Sequence, residues 1–308
     1  MLLIIILLLL SLLLVIKSAD FSIRYSASLA ESLSLPKYII GFVVVALISV
    51  LPEMFIAITS ALEKLPAFGL GTLFGSNIAD LTLVFGLVVF LSGRNLKIES
   101  KLIKNRFLHF GALIVPLLLG LNGYYSRIDG LLLIITGALF YYLILKNNVY
   151  AVKVDRQKFQ IKNLLFLALS MGGILLGAHF TVKYGIDLAH SLKINSALIG
   201  MLIVGLGTTL PELFFSIKAA RHHHDDLALG DILGTVVADA TVIVGIMALI
   251  SPFSFNSRIV YVTGSFMILA AFFLFYFMKS DRRLNKTESA LLFVFYIIFV
   301  LTELFVNR

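Results

Sequence analysis

Apolar residues run along this chain in ten long blocks, separated by short polar stretches and by glycine or proline breaks. The blocks and breakers predict helices near 2–30, 37–62, 69–91, 103–121 and 127–146, then 162–190, 195–220, 228–250, 258–278 and 287–306. Blocks of about twenty apolar residues match the hydrocarbon thickness of a bilayer, so each is read as a membrane span. The first and sixth are longer than a bilayer needs and are expected to tilt or to continue along the interface.

The pattern then repeats itself. Ser18-Ala19-Asp20-Phe21-Ser22-Ile23-Arg24-Tyr25 aligns without a gap on Gly177-Ala178-His179-Phe180-Thr181-Val182-Lys183-Tyr184, an offset of 159 residues. The same offset carries Gly41 onto Gly200, Leu51-Pro52-Glu53 onto Leu210-Pro211-Glu212, Gly71 onto Gly230, Gly75 onto Gly234, and Ala79-Asp80 onto Ala238-Asp239. One duplicated unit explains the length. The predicted fold is therefore an all-α polytopic membrane protein of about ten transmembrane helices in two five-helix repeats, residues 1–146 and 162–308, joined by a linker at 147–161. The alignment, with the lack of a positive n-region, also argues against reading Met1–Ile16 as a signal peptide.

An odd number of helices per repeat inverts one copy against the other. The basic residues test this. Sixteen lysines and arginines fall in the connections after helices 3, 5, 7 and 9, against Lys64, Arg127, Lys193, Arg258 and Arg308 on the opposite side. Positive charge stays inside, which predicts a cell-membrane protein with both termini outside and a cytoplasmic linker. The net charge of +8 belongs to these loops, so it does not point to nucleic acid. Charged residues make up only 14% of the chain, against about 25% in a soluble domain. Cysteine is absent, which excludes disulfides and thiolate metal sites.

Against this background four acids stand out: Glu53, Asp80, Glu212 and Asp239. An ionisable group inside a bilayer is costly and marks a cation or proton path. Each glutamate follows a proline, and Pro52 and Pro211 supply no N–H to the carbonyls of Ile48 and Gly207, which leaves backbone oxygens for a cavity or a ligand. Asp80 lies nine residues past Gly71, about 14 Å along a helix and near the midplane. Asp239 lies equally far past Gly230, so all four acids can meet at one level. Gly71, Gly75, Gly230 and Gly234 predict close approach of helices 3 and 8 to their neighbours.

Other polar groups receive plainer readings. Lys183 with Asp187, and Asp20 with Arg24, are expected to be i,i+4 ion pairs. His222-His223-His224-Asp225-Asp226 is read as a solvated turn rather than a metal site, and the basic 146–162 segment as a surface near anionic lipid. Two competing functions fit less well. An intramembrane aspartyl protease using Asp80 and Asp239 leaves both Pro-Glu pairs unexplained, and a channel would pass cations without a counter-ion gradient.

At Gly207-Thr208-Thr209-Leu210-Pro211-Glu212 and Gly75-Ser76-Asn77-Ile78-Ala79-Asp80 the sequence resembles the cation/calcium antiporter superfamily, in its sodium/calcium exchanger branch, whose motifs read Gly-Thr-Ser-Leu-Pro-Glu and Gly-Ser-Asn-Ile-Ala-Asp. The resemblance covers essentially the whole chain. It implies a non-enzymatic antiporter that exchanges calcium for sodium by alternating access, with protons or potassium as the alternative coupling ion. Calcium is then held by Glu53 and Glu212 with the carbonyls of Ser49 and Thr208. Sodium uses oxygens at Ala46, Gly205, Ser76, Thr209 and Thr235, with Asp80 and Asp239 at polar positions, while helices 1 and 6 slide across the rest. No cofactor is implied, and the expected partners are these ions and the lipid bilayer, around a monomer. The chain departs from the pattern at Ile48-Ser49-Val50, where Val50 removes a hydroxyl, at Thr235-Val236-Val237, and at Thr72 and Asp231, where the family has asparagine.

Overall fold

The computed structural model describes residues 1–32, 50–98, 103, 105–146, 161–223, 225–280 and 282–306. It is built from helices, in the order the apolar blocks predict. α1 is Leu2–Ser32, α2 Leu51–Leu62, α3 Pro66–Ser92, α4 Arg106–Leu119 and α5 Arg127–Lys146. α6 is Ile161–Leu192 and α7 Ser196–Arg221; α8 joins Asp225–Val237, Ala238–Ile243 and Val244–Ile250; α9 is Ile259–Ser280 and α10 Lys286–Val306. Among the described residues seven helices are long and apolar enough to cross a membrane, and Leu2–Ser18, Leu51–Leu62 and Arg106–Leu119 are shorter apolar stretches. The part of predicted helix 2 before Val50, and most of the 147–161 linker, lie outside the described residues.

Burial sorts these helices into inner and outer ones. The apolar windows of α3 and α8 are 83% buried, whereas those of α5 and α10 are 28% buried. Exposed leucine, isoleucine and phenylalanine side chains on the outer helices, such as Leu131, Leu139, Leu291 and Leu301, are what a lipid-facing surface requires. The core consists of α3 and α8 with the faces that α7, α9 and α10 turn towards them, through residues such as Phe85, Leu229, Met267 and Phe299.

Glycine sets how closely α3 and α7 approach. A Cβ on Gly71 would stand 2.4 Å from the Ala197 carbonyl oxygen, and one on Gly75 only 2.3 Å from that of Met201. From the other side, a Cβ on Gly200 would meet the Phe68 carbonyl at 2.4 Å. The expectation for Gly71 and Gly75 is met at backbone contact. Gly234 differs, because a Cβ there would meet only the Tyr141 hydroxyl, at an ordinary 3.8 Å. By the 159-residue offset, the partners of Gly230 and Gly234 would come from residues 38–42, outside the described residues.

Two short antiparallel ribbons tie the helix ends together. β1 (Leu96–Lys97) pairs with β4 (Arg283–Leu284), in the register Leu96 to Leu284 and Lys97 to Arg283. β2 (Tyr124–Tyr125) pairs with β3 (Phe253–Ser254). Neither of the expected i,i+4 ion pairs forms among the described residues. Asp20 pairs with Lys17, at 3.9 Å, and the Lys183 ammonium lies 5.8 Å from the centre of the Tyr184 ring. Both partners of Asp20 were within helical reach, and the i,i+3 one is taken.

Candidate ion-binding site

Proline places both glutamates. Pro52 opens α2, and Pro211 opens the second segment of α7, Leu210–Arg221, so Glu53 and Glu212 each fall in a first helical turn. A proline is tolerated there because its missing N–H would be unpaired anyway. Thr209, at the α7 break, has φ −75° and ψ −6°, between the short helix Gly205–Thr208 and the segment that follows.

The two aspartates share a device of their own. Asp80 opens a π-helical turn, Asp80–Val84, and Asp239 sits in the first turn of another, Ala238–Ile243. A π turn inserts one extra residue and widens the helix locally, a feature common at functional sites. Matched threonines brace both turns: Thr82 donates to the Ile78 carbonyl and Thr241 to that of Val237. Nothing in the hydrophobic pattern signals this widening, because apolar residues line every face of α3 and α8.

All four acids are buried, Glu53 and Asp80 at 1% exposure and Glu212 and Asp239 at 0%. Among the described residues the ion pairs are Lys17–Asp20 and Arg94–Asp225, with His179 in contact with Glu63, and no base there neutralises the four. Neither carboxyl oxygen of Asp80 or of Glu212 accepts a hydrogen bond, nor do Glu53 Oε2 and Asp239 Oδ1. Buried oxygens left without donors are costly in a packed interior and suit a cation. Ser76 Oγ donates to Asp239 Oδ2 at 3.3 Å, linking the two halves.

The neutral oxygens lie on α3, α7 and α8. Ser76, Thr208, Thr209 and Thr235 are all buried. A Cβ on Gly205 would stand 2.9 Å from the Ser76 amide nitrogen, so these two candidates are in contact. The Gly205 carbonyl already accepts from the Thr208 hydroxyl at 3.0 Å and from the Thr209 amide at 3.2 Å. With both lone pairs used, a cation there would have to displace the Thr208 hydroxyl. Ala46 and Ser49 lie outside the described residues.

Among the described residues no three acidic or imidazole side chains converge on a single point. Asp80 and Asp239 are not hydrogen-bonded to each other, since Asp80 accepts nothing, and a protease dyad needs two carboxyls sharing one proton. Asp231 is an acid outside the repeated Pro-Glu and Ala-Asp motifs, standing where the resembled family has asparagine. It is buried and close enough to Glu53, Asp80 and Glu212 to act on their charge. Its signal was present in the spacing: Asp231, Thr235 and Asp239 recur at i, i+4 and i+8 on α8. His222 and His223 form an exposed turn, but Asp225, expected in the same solvated turn, opens α8, is buried and is clasped by Arg94; His224 lies outside the described residues.

The chain is 23% identical to a sodium/calcium exchanger of Methanosarcina acetivorans, covering 95% of this chain and 96% of the relative. It is 28% identical to the putative antiporter CaxA of Alkalimonas amylolytica, covering 92% and 93%. Among solved structures it superposes on the sodium-calcium exchanger NCX_Mj with a TM-score of 0.69 at 25% identity, over 96% of this chain and 97% of that one. The H+/Ca2+ exchanger CAX shares the fold, with a TM-score of 0.77 at 17% identity over 97% of this chain and 82% of that one. The sodium/calcium exchanger protein family matches residues 3–146 and 162–305, and the chain belongs to that family of membrane transporters.

Proposed function

We propose that this protein exchanges Ca2+ for Na+ by alternating access, with Ca2+ held between Glu53 and Glu212. The observation that carries the reading is the matched pair of buried, base-free glutamates, each in the first turn after a proline. Two carboxylates neutralise one divalent cation, and calcium takes six to eight oxygens in flexible geometry. The carbonyls of Ser49 and Thr208 complete its shell. Sodium occupies the oxygens at Ala46, Gly205, Ser76, Thr209 and Thr235, beside Asp80 and Asp239.

The two-repeat division at residues 1–146 and 162–308, with inversion, is supported by the paired π turns at Asp80 and Asp239 and by β4, which lies at the position of β2 shifted by 159 residues. The distribution of lysine and arginine supports outward-facing termini in a cell membrane. All the proposed ligands come from one chain, which fits a monomer.

A second reading keeps the calcium site and changes the coupling ion to H+ or K+. It is favoured by Asp80 and Asp231, acids beyond those that calcium needs. Calcium-45 uptake into proteoliposomes, driven separately by sodium, proton and potassium gradients, separates the two. Uptake driven by sodium supports the first reading, uptake by another gradient alone supports the second, and gradient-independent passage refutes both.

A further inference from the structure

A second charged site lies away from the membrane midplane, where the ends of α3, α7 and α9 meet. A cavity of about 430 Å³ is lined by Arg94, Asn95, Lys97 and Arg283. The register of the β1–β4 ribbon places Lys97 directly opposite Arg283. Directly opposed residues on an antiparallel pair project to the same face, about 5 Å apart at Cβ, and like charges so placed repel. Leu96 and Leu284 are buried and hold this register, so the two cations cannot slip past each other.

The acid beside them is already engaged. Both carboxyl oxygens of Asp225 bind Arg94, and Asp225 Oδ2 also accepts from the Lys97 backbone amide at 2.9 Å. Arg94 also donates to the Ala220 and Asn95 carbonyls, while its Nε is buried without a partner. Asp225 therefore neutralises Arg94 and, among the described residues, leaves the charges of Lys97 and Arg283 unbalanced. Among the described residues neither forms an ion pair, and the acids nearest in sequence, Glu99 and Asp281, lie outside those residues.

We propose that this cavity binds a phosphate group, held between Lys97 and Arg283 at the rim of the Arg94–Asp225 clasp. The position favours lipid as its source. Lys97 lies five residues past the end of α3 and Arg283 three past the end of α9, at the depth of a headgroup layer. Basic pockets at helix ends on the lysine- and arginine-rich side suit anionic headgroups.

The experiment compares wild type, Lys97→Gln, Arg283→Gln and Lys97→Glu. Retained lipid is measured by native mass spectrometry from nanodiscs of phosphatidylglycerol or phosphatidylcholine, and thermal stability in detergent with and without inorganic phosphate. Wild type should retain phosphatidylglycerol preferentially, and affinity should fall about fivefold for each cation removed. Lys97→Glu, which creates an opposite-charge cross-strand pair, should raise the melting temperature without phosphate and abolish any shift with it. Stabilisation by inorganic phosphate without lipid preference keeps the site and assigns a free phosphate as its source. Equal lipid retention and equal phosphate response in wild type and all three variants overturn the proposal, as does a Lys97→Glu protein that still responds to phosphate.

Discussion

A glutamate that follows a proline into a helix combines a negative charge with a backbone that lacks one donor, and in this chain it does so twice. Glu53→Gln and Glu212→Gln each remove one charge without changing volume. Both variants should lose calcium exchange to background in vesicles while keeping the wild-type melting temperature, because no base among the described residues pairs with either charge. Uptake at the wild-type rate in either variant would remove that glutamate from the site. Asp80, Asp231 and Asp239 carry the charge count further. Together with the glutamates they could present five negative charges to one divalent ion, and protons or monovalent cations must balance the surplus. Calcium exchange should therefore vary with pH between about 5 and 9, and Asp80→Asn should flatten the profile. A wild-type profile already flat over that range would refute this accounting. The four acids were legible because a carboxylate inside an apolar run costs too much to be kept without a cation or proton to serve. Asp231 was less so, since it stands outside the Pro-Glu and Ala-Asp motifs that recur at the 159-residue offset and shows only as an acid where the resembled family has asparagine. Which base Asp20 would choose was not legible at all, because i−3 and i+4 partners are equally within reach on a helix.

At the level of elements, the sequence foretold where helices begin and end among the described residues, because proline, glycine and charge punctuate the apolar runs. It did not foretell what happens inside them. The π turns at Asp80 and Asp239 depend on how α3 and α8 pack, and a helix that is apolar on every side carries no periodicity to betray one extra residue. The α3–α7 contact is the element that most constrains the site, since it brings Ser76 against Gly205. Gly75→Ala should destabilise the protein by about 1–3 kcal/mol, as overpacking does, because the added carbon meets the Met201 backbone rather than a movable side chain. Gly111→Ala, where a Cβ meets nothing within 4 Å, is the control. Equal melting temperatures for the two variants would show that the contact can relax. The break before α2 bears on coupling. Val50 is buried among apolar groups that include Ala57, Phe74 and Met247, and it offers no oxygen where the resemblance expects one. Val50→Ser combined with Ile48→Gly should raise the Hill coefficient for sodium, and an unchanged coefficient would argue that no sodium site was lost there. The Arg94–Asp225 clasp closes the far end of the same helices. Its hydrogen bonds to Asp225 push the guanidinium above its ordinary, already high value. A raised pKa stabilises the fold below the unfolded value, so the clasp holds through the whole neutral range.

For the molecule as a whole, alternating access requires some part to move past a fixed site, and packing indicates which part. α1 and α6 are bound closely to each other. A Cβ on Gly177 would stand 3.0 Å from the Val15 amide nitrogen, Thr181 donates to the Ser11 hydroxyl at 3.0 Å, and Tyr25 stacks on Phe166. Their contact with the other helices is mainly apolar: Leu8, Leu12, Ala178 and Val182 meet Ile56, Phe68, Ile199 and Val204. Leu12 also covers Gly207, just before the break that carries Glu212. Apolar side chains can exchange neighbours along a seam without breaking hydrogen bonds, which is the usual basis of shear motions. A polar contact crosses the seam at its exposed edge, where His179 Nδ1 lies 2.8 Å from Glu63 Oε1. The chain has no native cysteine, so a pair introduced there would be unique. In the double variant Glu63→Cys, His179→Cys, a short thiol cross-linker should stop calcium exchange and a reducible version should restore it on reduction. Equilibrium binding of calcium-45 should survive cross-linking, since neither position contributes to the Glu53–Glu212 site. Exchange that continues in fully cross-linked protein would show that α1 and α6 do not move against α2, and that access to the glutamates changes by another route.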